Sequence, residues 1–249
     1  MFDNQDLLSV SRPVASLIDH ALLHPTLTDA ELREGCELAR RLRVAAVCVQ
    51  PCAISLAAEL LAGSHVAVCA VIGFPHGSTG TAVKAFEADW ACQQGATELD
   101  MVVNIGKTLS RDWAYVEADI RAVVDTAHEH GALAKVIFEN EYLPSDDLKI
   151  ELCRIASTVD ADFVKTSTGF GFLNGPHGPL APVGATDHDL RLMRAHTDAR
   201  VGLKASGGVR TYADALRVIG LGATRIGASS TAAIVAGEAA SRAAPASHY

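Results

Sequence analysis

Eight short runs of β-branched and aliphatic residues punctuate the chain, at 17–22, 44–49, 66–73, 98–103, 134–139, 163–167, 201–206 and 225–229. Runs of this length bounded by polar and glycine-containing segments predict strands. Between them the apolar positions recur at helical spacing. In 28–41, Leu32, Cys36, Leu38 and Ala39 share one face, opposite Arg33, Glu34 and Arg40, and Thr28 stands where an N-cap belongs. The same periodicity marks 52–61, 81–94, 113–129, 147–158, 187–196, 212–219 and 231–240. Strand and helix therefore alternate eight times, with about twenty to just under forty residues between strand starts, the length of one βα unit with its crossover. That arithmetic predicts an α/β protein folded as a single (β/α)8 TIM barrel. A doubly wound open sheet is the rival, but it usually opens with a glycine-rich loop after its first strand, and Asp19-His20-Ala21-Leu22-Leu23 contains no glycine. One domain is expected over 1–249, with 1–14 and 241–249 as flexible tails. The stretch 171–185, crowded with Gly and Pro, is expected to be neither helix nor strand.

Composition narrows the function classes. With 49% apolar and 20% charged residues in 249, the chain has material for a large core and is not disordered. Apolar runs such as 66–72 fall far short of the ~20 residues of a membrane helix. The start, Met-Phe-Asp-Asn-Gln-Asp, has no basic and apolar leader, so the expected compartment is the cytoplasm. A net charge of −8 with scattered basic residues argues against nucleic acid, and an anionic ligand would have to be drawn by local groups. The six cysteines show no C-x-x-C pair and are expected to be reduced and mostly buried.

Parallel strands covered on both faces should read as continuous apolar runs, yet several carry a charge in mid-run or near the C-terminal end. The fourth run holds Asp100, the fifth Lys135, the sixth Lys165 and the seventh Lys204, taking three of the six lysines in the chain. Period two sets Leu99, Met101 and Val103 against Asp100 and Val102, and Val201 and Leu203 against Gly202 and Lys204. If the apolar face meets the helices, the charges converge inside the barrel. A buried ion-pair network without chemistry is the plainer alternative, but a core built for stability does better with aliphatic residues. Lys165 and Lys204 also precede Thr166-Ser167-Thr168-Gly169 and Ala205-Ser206-Gly207-Gly208, at the strand ends where such barrels place their active sites.

Two lysines on neighbouring strands suggest amine chemistry. A lysine at the ordinary pKa of about 10.4 is only ~0.04% neutral at pH 7. Burial beside a second cation favours the neutral amine, the form that condenses with a carbonyl, so the pair is a Schiff-base signature. Asp100 is positioned to partner an ammonium and to move protons, directly or through water. Gly207-Gly208 and Ser229-Ser230, after the seventh and eighth strands, fall where these barrels commonly bind phosphate through bare N–H groups, hydroxyls and a helix N-terminus. Taken alone, each could be a tight turn.

These residues resemble the deoxyribose-phosphate aldolase family, class I aldolases with a (β/α)8 barrel. The similarity runs over nearly the whole chain: L-I-D-H-A-L-L (17–23), V-I-G-F-P-H-G (71–77), E-L-D-M-V-V-N-I-G (98–106), K-V-I-F-E (135–139), F-V-K-T-S-T-G-F (163–170), L-K-A-S-G-G-V-R (203–210) and R-I-G-A-S-S (225–230). The resemblance implies reversible cleavage of 2-deoxy-D-ribose 5-phosphate into acetaldehyde and D-glyceraldehyde 3-phosphate, with no cofactor and no metal, and it makes a homodimer the expected assembly. It assigns the Schiff base to Lys165, its perturbation and proton assistance to Lys204, proton donation and acceptance to Asp100, and support to Asp19 and Lys135. Phosphate contacts fall to Gly169, Gly207, Gly208, Ser229 and Ser230. Ala21 stands where the family has threonine and His24 where lysine is common, the latter expected to be without chemical effect. The 171–185 loop is longer than usual and should lie above the site. Tyr249 occupies the place of a terminal tyrosine that folds over the pocket in some relatives.

Competing motifs read more plainly as structure. His128-Glu129-His130 ends a predicted helix, where histidine meets the dipole favourably, so it is expected to be a solvated terminus rather than a metal site. Cys48, inside the second run, could face the pocket as a nucleophilic thiol, but no histidine partner follows from spacing and a buried thiol is the expectation. The remaining alternatives are another phosphate-binding Schiff-base barrel enzyme and a non-catalytic sugar-phosphate sensor on the same scaffold.

Overall fold

The computed structural model describes residues 12–171, 173–175, 178–180 and 184–243. Eight parallel strands close into a barrel, β1 (Ile18–Leu22), β2 (Ala46–Val49), β3 (Ala67–Ile72), β4 (Glu98–Val102), β5 (Leu133–Ile137), β6 (Phe163–Lys165), β9 (Gly202–Ser206) and β10 (Arg225–Ala228), with β10 returning to β1. The crossover helices are α1 (Asp29–Leu42), α2 (Ile54–Leu61), α3 (Thr81–Gln93), α5 (Trp113–Glu129), α6 (Asp146–Thr158), α7 (Asp187–His196), α8 (Tyr212–Gly220) and α9 (Thr231–Ala243). The chain is thus the expected (β/α)8 barrel. Thr28 and Glu31 form a reciprocal capping box that starts α1.

Two elements depart from the sequence reading. A five-residue helix, α4 (Ile105–Leu109), follows β4; it is too short to show a period, and the Asn104 side chain caps it by accepting from the Lys107 N–H at 3.1 Å. Within 171–185, β7 (Leu173–Gly175) and β8 (Gly178–Leu180) pair antiparallel, so that stretch does contain strand. A two-stranded ribbon has only edges, and an edge tolerates Pro179, which has no N–H for the ladder.

Ordered structure also reaches into the segments expected as tails, at residues 12–14 and 241–243. Val14 opens a 3-10 turn (Val14–Leu17), is 1% exposed, and donates its N–H to Glu238 Oε2 of α9 at 3.1 Å. Helix α9 itself runs to Ala243. The partner of Val14 is 224 residues away along the chain, beyond the reach of any local pattern. Tyr249 lies outside the described residues.

The main core lies between barrel and helices and includes Leu99, Met101, Val136, Val164 and Leu203. A smaller apolar cluster, Leu23, Ala46, Cys48, Cys69 and Val71, fills the β2–β3 side of the barrel interior. The opposite side of the interior is charged. No described helix is long and apolar enough to cross a membrane.

Candidate active site

Alternation along β4, β5, β6 and β9 turns Leu99, Met101, Val136, Val164 and Leu203 outward and Asp100, Lys135, Lys165 and Lys204 inward, as the period of two demands. Lys165 and Lys204 are register partners on adjacent strands. Both Nζ atoms donate to one oxygen, Asp100 Oδ2, each at 2.7 Å. Lys135 takes the other, with its Nζ 2.7 Å from Asp100 Oδ1. Lys204 also pairs with Asp19, whose carboxylate lies 3.5 Å from the Lys135 Nζ. All five side chains are buried.

Electrostatics fix most of the protonation states. Burial alone would push the Asp100 carboxyl up, but Lys135, Lys165 and Lys204 together outweigh it and hold it well below the usual carboxylate range. Asp19 is drawn down in the same way, against its burial, by Lys204, Lys135 and Arg225. Burial pulls Lys204 and Lys135 down, yet their carboxylate partners more than reverse this and raise both above the ordinary lysine value. Lys204 is therefore a standing cation beside Lys165.

Above these groups opens a cavity of about 370 Å³. Lys165, Lys204 and Asp19 reach its floor, and Gly169, Gly207, Gly208 and Ser229 line it. Ser230 is not among the lining residues; its carbonyl accepts from the Ile234 N–H in the first turn of α9, so it stands at that helix's N-terminus. Gly207 and Gly208 have φ of 85° and 80°, which turns their backbone in a way that side-chain-bearing residues rarely adopt. A Cβ on Gly207 would fall 2.6 Å from the Gly184 Cα, so the loops after β9 and β8 interlock through paired glycines. Thr166 ties the ends of β6 and β9 together, its hydroxyl donating to the Ser206 carbonyl at 2.9 Å and accepting from the Ser206 N–H at 3.0 Å.

Several cavity and network residues were not picked out as site residues from the sequence. Glu98 and Arg225 join the interior charges: Lys135 Nζ lies 2.7 Å from Glu98 Oε2, and Arg225 lies 3.1 Å from the same oxygen and 2.7 Å from Asp19 Oδ1. Glu98 is two positions before Asp100 on the same strand, so the alternation that singled out Asp100 also points to it. Glu139, in a left-handed turn (φ 54°), accepts from the Thr168 N–H at 3.1 Å and from the Thr168 hydroxyl. Burial pushes the Glu139 carboxyl up. Phe170 meets Phe74 edge to face at 5.3 Å and walls the cavity, while Arg210 adds a cation to its rim. His24 and Ala21, the two departures from the family pattern, both line the cavity.

Cys48 is buried as expected and faces the cavity, with Sγ 3.9 Å from Asp100 Oδ2. His128 and His130 pair with Asp162 and Asp89 at the end of α5, the solvated terminus anticipated for them. Two sets, Cys48–Cys69–Asp100 and Asp19–Cys69–Glu98, have the spacing of metal ligands. The Lys135 ammonium already sits among them, 2.7 Å from Asp100 and Glu98 and 3.2 Å from Cys69 Sγ, so a cation of the protein's own fills that place.

A (β/α)8 barrel with paired lysines at the floor of a glycine-rimmed cavity defines a Schiff-base class of enzyme. A family model described as DeoC/LacD family aldolase matches residues 14–244. The chain is 48% identical over 226 residues to a deoxyribose-phosphate aldolase of Rhodopirellula baltica, covering 91% of this chain and 89% of that one. It is 47% identical to the corresponding enzyme of Clostridium perfringens, over 90% of this chain and 95% of that one. A solved deoxyribose phosphate aldolase from Aeropyrum pernix, described as a unique tetramer, superposes with a TM-score of 0.82 at 30% identity, over 94% and 97% of the two chains. The chain belongs to the DeoC/LacD aldolase family.

Proposed function

We propose that the protein is a class I aldolase that reversibly cleaves 2-deoxy-D-ribose 5-phosphate to acetaldehyde and D-glyceraldehyde 3-phosphate. The observation that carries this reading is the shared oxygen: Lys165 and Lys204 both at 2.7 Å from Asp100 Oδ2, beneath a cavity open to a small substrate. A neutral Lys165 Nζ attacks the C1 aldehyde, and loss of water leaves an iminium. The iminium accepts the electron pair of the C2–C3 bond as the C3 hydroxyl gives up its proton, releasing glyceraldehyde 3-phosphate and leaving an enamine. Asp100, held ionised, is the base that takes the proton through a water molecule; Lys204, held protonated 2.7 Å away, is the acid that resupplies it. Protonation of the enamine at C2 and hydrolysis return Lys165 and acetaldehyde. Asp19 and Lys135 hold Lys204 and Asp100 in place.

The phosphate fits the opposite rim, where Gly169, Gly207, Gly208 and Ser229 offer N–H and hydroxyl donors and Ser230 starts α9. Because the chain is acidic overall, these local donors do the attracting. A homodimer is the assembly we propose; the Aeropyrum relative is described as a tetramer.

Borohydride trapping with acetaldehyde, followed by peptide mapping, tests the reading. A mass increment confined to Lys165 is expected, together with loss of turnover in Lys165→Ala. An isomerase on this scaffold would trap nothing, and a sensor would bind the sugar phosphate without turnover. Equal rates in the two proteins would remove Lys165 from its role.

A further inference from the structure

The ion-pair network inside the barrel does not balance. Its carboxylates are Asp19, Glu98 and Asp100, and its basic groups are Lys135, Lys165, Lys204 and Arg225. Three carboxylates thus face four basic groups, with the carboxylate and lysine side chains buried, where an uncompensated ion is strongly disfavoured. One basic group must be neutral for the interior to balance. Arg225 is excluded, because a guanidinium keeps its proton in proteins. Lys135 touches all three carboxylates, at 2.7, 2.7 and 3.5 Å, and Lys204 touches two, Asp19 and Asp100. Lys165 has a single carboxylate contact, to an oxygen that Lys204 already shares.

Glu98 and Arg225 lie at the starts of their strands, on the side of the network away from the cavity, and neither lines it. We infer that they are positioning residues for the reaction: a carboxylate and a guanidinium that no substrate touches set the charge count so that the proton missing from the interior is the one on Lys165. The inference rests on the proposed aldolase chemistry and assigns it two further residues.

The other groups facing Lys165 are accounted for. Asp100 on β4, Lys204 on β9 and Lys135 on β5 are within the count. Glu139, in the turn after β5, has its oxygens engaged by Thr168 and is in no ion pair among the described residues, so it stands outside the network; burial pushes its carboxyl up, while the Thr168 hydrogen bonds and Lys165 pull it down. From β3, Cys69 Sγ lies 3.1 Å from Asp100 Oδ1, and from β2, Cys48 lies beside Oδ2. A Cys48 thiolate, favoured by the hydrogen bond from Cys69, would balance the same excess, so the test must separate the two.

The experiment is the pH dependence of kcat for cleavage of deoxyribose 5-phosphate, run beside borohydride trapping on Lys165 at each pH. Glu98→Gln removes a negative charge, the interior sheds its proton more readily, and the acid limb of both profiles moves down by about one pH unit. Arg225→Gln removes a positive charge and moves the limb up by about as much, with a roughly tenfold loss of rate on the acid side. The double variant restores the original excess, so its limb returns to the wild-type position. Limbs that stay put while rates fall, with the double variant worse than either single, mark the pair as structural and overturn the inference. A limb that shifts in Cys48→Ala as far as in Glu98→Gln gives the missing proton to the thiol and overturns it as well. If the variants fail to fold, NMR titration of ε-labelled lysines in the unmodified protein decides: Lys165 is expected to lose its proton before Lys135 and Lys204, and the reverse order sinks the idea. Failure of unmodified Lys165 to trap at any pH would instead defeat the aldolase reading itself.

Discussion

Asp100 is the residue on which the site turns, because its two oxygens are met by three lysine Nζ atoms at 2.7 Å. A carboxylate so placed stays ionised through the ordinary working range and organises the amines as much as it moves protons. Asp100→Asn keeps the shape but removes the charge, and we expect kcat to fall by about 10² to 10⁴. Steady-state turnover measures this, and a loss under tenfold would leave Asp100 no proton-transfer role. Glu98 and Arg225 show where residue-scale reading stopped short. Both lie in predicted strands, but a single charge near a strand's start reads as a surface end until the barrel closes above it.

At the scale of elements, short-range pattern was enough for all eight barrel strands and the crossover helices, whose residues repeat at 2.0 or 3.6 over a whole segment. It was not enough for α4 or the β7–β8 hairpin, which are too short to repeat a period distinctly. Packing between elements has its own polar anchor. Lys84 of α3 is fully buried, donating to Asp119 Oδ2 of α5 at 2.5 Å and to the Val102 carbonyl at 2.9 Å, while Thr81 also bonds Asp119. Lys84→Met strands the Asp119 carboxylate, and urea unfolding should show a loss of about 3–5 kcal/mol. Trapping on Lys165 in the folded protein should persist, since Lys84 lies outside the barrel interior. The Gly184–Gly207 interlock makes a second element-scale prediction. Gly207→Ala forces the two loops apart, and KM for deoxyribose 5-phosphate should rise roughly tenfold while trapping by acetaldehyde, which has no phosphate, is spared. Equal damage to both would uncouple that loop from the phosphate.

For the whole molecule, the buried network links stability to pH. Asp19 and Asp100 are held below their unfolded values, so their stabilisation is present above the ordinary carboxylate range near pH 4 and is lost as pH falls through the lower folded values. Lys135 and Lys204 are held above theirs, so that contribution is present below about pH 10 and fades as pH rises past it. Thermal melts should therefore give a broad plateau with steep losses at both ends. In Asp100→Asn the acid-side decline should be shallower, because one depressed carboxyl no longer has to be protonated. An unchanged acid slope would mean that other carboxylates dominate acid unfolding.

The local pattern by itself determined the alternation of strand and helix, the barrel class and the inward direction of Asp100, Lys135, Lys165 and Lys204, because each of these follows from periodicity within a single run. Motif similarity added the family and the roles given to those side chains. Only the tertiary structure decided which amine meets which carboxylate, that Lys165 and Lys204 share one oxygen, and that Val14 is sealed under α9. Those facts depend on distances between strands far apart in the chain. Closure of the barrel sets such distances, since it brings β1 against β10 and removes water from the space between.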